Sequence, residues 1–403
     1  MTTTQDATEI AAELTELRHA IHGEPEIGLD LPLTQRKVLA ALDGLPLEIT
    51  LGSAVSSVTA VLRGGAGGAG SGRPVVLLRG DMDALPVTER SGVDYASRID
   101  GVMHACGHDL HTTMLAGAAK LLSARRAELP GDVIFMFQPG EEGQGGARYM
   151  ISEGVLDAAG RRPAAAFALH VVSSEFPHGT FATRPGPMLA SAEVLTVTVT
   201  GHGGHASEPH NALDPIPAAC EVVTALQTMV TRRFDVFDPV VITIGSFHSG
   251  TTDNVIPDEA TFLTSIRTFS SASRDKIHQE VPRLVQGIAS GHGLTGRAEF
   301  GNCYPVTLNS APEVQFATTV IGDMLGPDRV HAMENPLTGA EDFSYVANEV
   351  PGAFLMLGAC PPGVDPVTAP ANHSGDAVFH DGVLAEGAAV YAELAIRRLA
   401  QES

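Results

Sequence analysis

Apolar positions follow two rhythms along this chain. Ile10, Leu14, Leu17 and Ile21 fall at helical spacing, and Gly23 with Pro25 ends that helix. Three short runs, Val75–Leu78, Val133–Phe137 and Ala164–Leu169, are apolar at consecutive positions, as buried parallel strands are. A helix is predicted between the first two, over about His108–Leu122, with Met114, Leu115, Ala118, Leu121 and Leu122 on one face. Another, over Gly146–Ser152, is predicted between the second and third. This alternation reads as an α/β domain with a parallel sheet.

The rhythm then changes. Leu195, Val197 and Val199 alternate with Thr196, Thr198 and Thr200, the mark of a half-exposed strand in an antiparallel sheet. A helix at Pro215–Thr231, strands at Val240–Phe247 and Thr261–Phe269, a helix at Ser273–Ser290 and a strand near Arg297–Cys303 follow. The order β-α-β-β-α-β is the split unit of ferredoxin-like domains. Afterwards a helix near Pro312–Met324, an apolar strand at Ala353–Gly358 and a final helix near Asp381–Ala400 resume the first pattern. The expectation is an α/β domain over 1–186 and 301–403, its mainly parallel sheet flanked by helices. A smaller ferredoxin-like α+β domain over 187–300 interrupts it. The Gly-rich stretch Arg63–Pro74 lacks a strand–motif–helix context and reads as a hairpin or surface loop.

Charge and composition narrow the function. With 47 acidic and 25 basic side chains the net charge is −22, which repels nucleic acid and anionic membranes as main partners. The absence of Trp and the 5% aromatic content disfavour stacking platforms for single strands. The polar start, the lack of a spanning apolar run and four scattered cysteines fit a reduced, cytoplasmic setting.

The chemistry gathers where the apolar runs end, the edge at which open α/β sheets bind ligands. Val75–Leu78 is followed by Arg79-Gly80-Asp81-Met82-Asp83, Val133–Phe137 by Gln138-Pro139-Gly140-Glu141-Glu142, and Ala164–Leu169 by His170. The segment His104-Ala105-Cys106-Gly107-His108-Asp109 packs four donors into six residues, a density typical of a metal site and unusual for packing. Glu141 and Glu142 would repel one another if both were ionised without compensation. A cation removes that penalty for Glu142 as ligand and leaves Glu141 as general base. His205 in Gly203-Gly204-His205-Ala206-Ser207, Asn254, Arg267 and His373 are weaker candidates, each open to a structural reading. No Gly-x-Ser-x-Gly elbow follows a strand, which disfavours a serine hydrolase.

Seven motifs, taken together, carry a resemblance that runs from about Leu17 to Ala395. They are Arg18–Glu26, Gly80–Pro86, His104–Asp109, Gln138–Gly143, Gly203–Ser207, Asn254–Pro257 and Gly339–Phe343. The chain resembles the co-catalytic metallopeptidase and amidohydrolase family of carboxypeptidase G and aminoacylase. Within it, the match is nearest to hippurate hydrolase and the plant indole-acetyl-amino-acid hydrolases. The resemblance implies two divalent ions (zinc, manganese, cobalt or nickel) held by Cys106, His108, Glu142, His170 and His373, with Cys106 bridging. It implies Glu141 as general base and Asp83 as the acid that orients a ligand. It also implies that His205 reaches a neighbouring subunit's site, and that Asn254 and Arg267 hold a substrate carboxylate. The implied activity is hydrolysis of N-acyl amino acids by a homodimer joined through the inserted domain. A small-peptide or N-carbamoyl amino acid hydrolase is the alternative on the same fold, and a non-catalytic metal- or amino-acid-binding protein the alternative from another class. Three positions depart from the family pattern: Cys303 before Tyr304-Pro305, Asn372 before His373, and Gly140.

Overall fold

The structure, a computed structural model, describes residues 2–66 and 72–401. Of the Gly-rich stretch, residues 67–71 lie outside the described residues, and its two flanks are irregular. The chain divides into two compact units. The first comprises Met1–Met188, Leu308–Asn335 and Asp342–Ser403, and the second Leu189–Thr307 and Pro336–Glu341.

The first unit is built on an eight-stranded sheet. Its first six strands are β1 (Leu47–Leu51), β2 (Val58–Leu62), β3 (Val75–Asp81), β4 (Asp132–Gln138), β5 (Ala165–Val172) and β6 (Phe181–Thr183). Strands Val330–Ala332 and Gly352–Gly358 complete it. The spatial order is β1-β2-β4-β3-β5, then Gly352–Gly358, β6 and Val330–Ala332. β4, β3, β5 and Gly352–Gly358 run parallel, while β1 and β2 pair antiparallel at one side. Every position of β3 and β4 is buried, as a sheet covered on both faces requires.

Helices α1 (Thr3–Glu9), α2 (Ala11–His22), α3 (Pro32–Leu42), α4 (His108–Ala124) and α5 (Gly146–Ser152) surround it, together with Val383–Gln401 near the C-terminus. α4 is buried almost all round, so no polar stripe appears in its sequence. It shares one core with Leu14, Leu384, Ala388 and the sheet residues Leu78, Phe135 and Phe167. Tyr391 crosses that core: its hydroxyl donates to the Arg79 carbonyl (2.6 Å) and accepts from the Leu169 amide (2.7 Å), tying β3 to β5.

All three central strands run past the predicted apolar runs. β3 continues through Arg79, Gly80 and Asp81, β4 through Gln138, and β5 through His170 to Val172. The added polar side chains satisfy one another inside the sheet, so hydropathy does not register them as strand.

The second unit carries a four-stranded antiparallel sheet in the order Val240–Ser249, Glu259–Thr268, Ala192–Thr200, Thr295–Tyr304. Numbered along the chain, that order is 2-3-1-4, the arrangement of the split βαβ unit. Helices Pro215–Arg233 and Ser271–Gly291 cover one face, where Val222, Leu226, Ile277 and Val281 meet Leu195, Val197, Phe262 and Ile266. Val194, Val241 and Leu263 point to the other face and are exposed.

Candidate metal centre

The parallel strands end at one edge, and the loops beyond them converge. Asp83 follows β3 directly. Its carboxylate accepts from the backbone amides of Glu141 and Glu142 (3.0 Å each), so the loop after β3 holds the loop after β4 in place. The same carboxylate lies 3.3 Å from Nδ1 of His108. His108 opens α4, and Gly107 caps that helix at φ 84°. A side chain there would place its Cβ 2.3 Å from Val171 Cγ2, so the tight approach of the Cys106–His108 corner to β5 requires glycine.

The five expected ligands come together. His170 Nε2 is 3.5 Å from Cys106 Sγ, and His373 Nε2 is 3.3 Å from the same sulfur and 3.2 Å from Glu142 Oε1. His108 Nε2 is 3.9 Å from Glu142 Oε1. Two donor sets result, Cys106 with His108 and His170, and Cys106 with Glu142 and His373. Within each set the donor atoms lie within 4.8 Å of one another. Cys106 belongs to both and would serve two cations at once. Thiolate, imidazole and carboxylate at this spacing suit a pair of divalent cations.

A second observation points the same way. Nε2 of His108 is buried with no hydrogen-bond partner, 3.9 Å from Glu142 Oε1. Such an atom costs about 1–3 kcal/mol, and a cation beside it removes the cost. The ligand rings are also turned as metal-binding histidines are. His170 donates from Nδ1 to the Val171 carbonyl (2.9 Å), which leaves the Nε2 lone pair facing the sulfur.

Electrostatics favours positive charge here. Burial opposes a charge on His108, but Asp81 and Cys106 outweigh it and raise its pKa well above the ordinary value. Hydrogen bonds to Cys106 and Glu142 push His373 up to about 10. Glu142 is lowered: burial works against its charge, and His373 and His108 prevail. His170, by contrast, is held well below its usual value by burial and by His111.

The loop that brings His373 is strained and clamped. His373 sits at φ 70°, rare for a side chain of its kind, and donates its backbone N–H to the Ala105 carbonyl (2.8 Å). Asn372 beside it donates to the Val171 carbonyl (3.0 Å) and accepts from the Ser173 amide (2.9 Å). A side-chain amide at this position therefore splints the last ligand to the end of β5.

Glu141 is buried, and its Oε1 accepts from the Asp342 amide at 3.4 Å. The remaining expected residues lie in the second unit. His205 lies on a two-stranded ribbon where it pairs with Val255, Asn254 stands in the turn just before that strand, and both are exposed. Ser207 donates its amide (3.1 Å) to His205 Nδ1, so the neutral ring carries its proton on Nε2 and presents a donor. Arg267 is half-buried in Glu259–Thr268, and burial alone lowers its pKa.

Three supporting side chains were not singled out by sequence: Arg79, His111 and Asp342. His111 lies one helical turn from His108, and Arg79 is a charge inside an apolar strand, and these were the available signals. Burial pushes Asp342 up to about 6, against the pull of Arg79.

Comparison with known proteins agrees with this geometry. The model of Peptidase family M20/M25/M40 matches residues 77–397. Thermostable carboxypeptidase 2 of Saccharolobus solfataricus is 36% identical over 97% of both chains. IAA-amino acid hydrolase ILR1-like 4 of Arabidopsis thaliana is 37% identical over 95% of this chain and 85% of its own. Hippurate hydrolase of Campylobacter jejuni is 33% identical over 97% of this chain and 98% of its own. Among solved structures, the Bacillus subtilis YXEP protein, described as a dinuclear metal binding peptidase, aligns with a TM-score of 0.81 at 29% identity. That alignment covers 98% of this chain and 99% of that one. A family model spanning most of the chain and relatives above 30% identity over nearly its whole length lead to one conclusion: the chain belongs to Peptidase family M20/M25/M40.

Proposed function

We propose that the chain hydrolyses the amide bond of N-acyl amino acids of the hippurate kind, releasing a carboxylate and a free amino acid. The observation that carries this reading is the double donor set sharing Cys106 beside the buried carboxylate of Glu141. Relatives named for hippurate and for indole-acetyl-amino-acid hydrolysis support the substrate class.

In this reading Cys106, His108, Glu142, His170 and His373 hold two divalent cations, with zinc or manganese the leading choices and cobalt or nickel the others. When bound, the pair supplies Lewis acidity that polarises a carbonyl and lowers the pKa of water. Glu141 takes the proton of the attacking water and returns it to the leaving amine nitrogen. Asp83 holds the His108 ring and fixes the amides of Glu141 and Glu142, so base and ligand keep their spacing. His205, with its donor on Nε2, stabilises the oxyanion in the site of a second copy of the chain, which makes the active form a homodimer joined through the inserted domain. Asn254 and Arg267 bind the carboxylate of the amino acid moiety. The compartment that fits is the cytoplasm.

One observation favours a second reading: the carboxypeptidase relative spans 97% of the chain, which supports a small peptide as substrate. The deciding experiment is a hydrolysis screen of acetyl, benzoyl and indole-acetyl amino acids and dipeptides, with each metal restored to chelated protein. Turnover of benzoyl or indole-acetyl amino acids well above dipeptides is expected, and the reverse order would move the assignment to a peptidase. Replacing Glu141 by Ala should leave metal content unchanged and abolish hydrolysis; turnover that survives the change rejects its role as base.

A further inference from the structure

Arg79 is 1% exposed and stands inside the sheet, two positions before the end of β3. A charge so placed is costly unless it is fully paired and hydrogen-bonded. Its nitrogens meet Gln138 Oε1 (2.9 Å), Asp81 Oδ2 (2.5 Å) and Asp342 Oδ1 (2.9 Å).

Each carboxylate starts a chain of contacts that ends at the metal centre. Asp81 Oδ1 meets His111 Nδ1 at 2.6 Å, and His111 Nε2 accepts from the Val171 amide at 2.7 Å. The amide donor fixes the tautomer, because a nitrogen that accepts carries no proton, so the Nδ1 proton of the neutral ring points to Asp81. The Val171 carbonyl then takes the Nδ1 proton of His170 and aims its Nε2 at Cys106. On the other side, Asp342 Oδ2 accepts from the Ala147 amide (3.0 Å), and Gln138 Nε2 donates to both Asp342 oxygens (2.7 and 2.8 Å). These bonds anchor the loop that bears Glu141 and Glu142, and the Asp342 amide itself donates to Glu141.

We infer that Arg79 is a positioning residue for the reaction: by spanning Asp81 and Asp342 with one planar guanidinium, it sets the His170 side of the centre against the Glu141 side. The planar fork matters, because a lysine ammonium is a point charge that serves one of these carboxylates at a time. This inference rests on the proposed hydrolysis and deepens it.

The test compares full-length parent, Arg79→Lys, Asp342→Asn and His111→Phe by calorimetric titration of the chelated proteins with zinc and manganese, and by kcat and KM at saturating metal. Arg79→Lys keeps the charge and is expected to lower kcat and the weaker metal affinity by about 10- to 100-fold each, with KM little changed. Asp342→Asn should reproduce the loss of kcat alone, and His111→Phe the loss of metal affinity alone. Kinetics and both affinities within twofold of parent in Arg79→Lys would overturn the inference. So would losses of both quantities in both single-branch variants that simply track a lowered Tm. If Arg79→Lys does not fold, the contrast between the other two variants decides. If the parent hydrolyses none of the amides, the functional reading falls, and the metal titrations still decide the role of Arg79.

Discussion

In the first unit Cys106, His108 and Glu141 are buried, and the outward ring nitrogens of His108 and His170 meet Asp83 and a backbone carbonyl. In the second, His205 on a two-stranded ribbon and Asn254 in the turn beside it stand in solvent, and Arg267 is half-buried with burial itself acting against its charge. In the proposed mechanism the contrast separates two kinds of residue. Groups that act within a single chain are preorganised, because reorganisation at the moment of reaction raises the barrier. Groups that recognise a substrate or a second chain can remain solvated until it arrives. Substitutions of the expected metal ligands should therefore disturb metal content and turnover together, whereas those at His205 and Asn254 should disturb turnover alone.

Three changes test that division, from the largest effect down. Cys106→Ala removes the donor common to both sets. Elemental analysis should find the metal content collapsed, and activity should fall by on the order of 10³-fold or more, since several kcal/mol of charge stabilisation go with it. Two cations retained would show that the sulfur is not shared. His205→Ala should cost about 10²–10³ in kcat, the worth of one oxyanion donor, with metal content and Tm unchanged. A matching fall in Tm would place His205 among the structural residues and erase the contrast.

The third concerns His22, which belongs to the buried network beneath the centre. Its Nδ1 meets Asp109 (2.8 Å), its Nε2 meets Glu89 (3.2 Å), and Arg18 donates to the same Asp109 oxygen (2.9 Å). Burial opposes its charge, but Asp109 and Glu89 raise its pKa from 6.5 to about 9. A pKa raised on folding means that the protonated ring stabilises the fold fully below about 6.5, and that this is lost as pH rises through about 9. The contribution is on the order of 3 kcal/mol. Urea unfolding of parent should therefore show stability falling between pH 7 and 10, and His22→Gln should flatten that slope. An unchanged slope in the variant would assign the titration to another group.

The sequence was readable where residues act in their own neighbourhood. The ligands and base stood out because donors crowd into His104–Asp109 and Gln138–Gly143, and the central strands because they are apolar without interruption. What escaped depends on partners far along the chain. Arg79 meets Asp342 across 263 positions, and Asp81 meets His111 across 30, so no local window joins them. The same pairing hid the ends of β3 and β4, where Asp81 and Gln138 are satisfied, since a polar residue satisfied inside a sheet looks like a loop to hydropathy. β1 was missed for the opposite reason: it pairs at the sheet's side with four of its five residues exposed, and so lacks an apolar run.

The hydroxyl of Tyr391 has a consequence for how the molecule is made. It joins the backbones of β3 and β5, yet it belongs to the last helix. During synthesis the ribosome has released the strands, the corner at Cys106 and even His373 before the residue that stitches the two strands arrives. The nascent protein must therefore keep an unfinished sheet out of aggregation until Val383–Gln401 emerges, and β3 and β5 are stitched together only after every ligand of the proposed centre has been made.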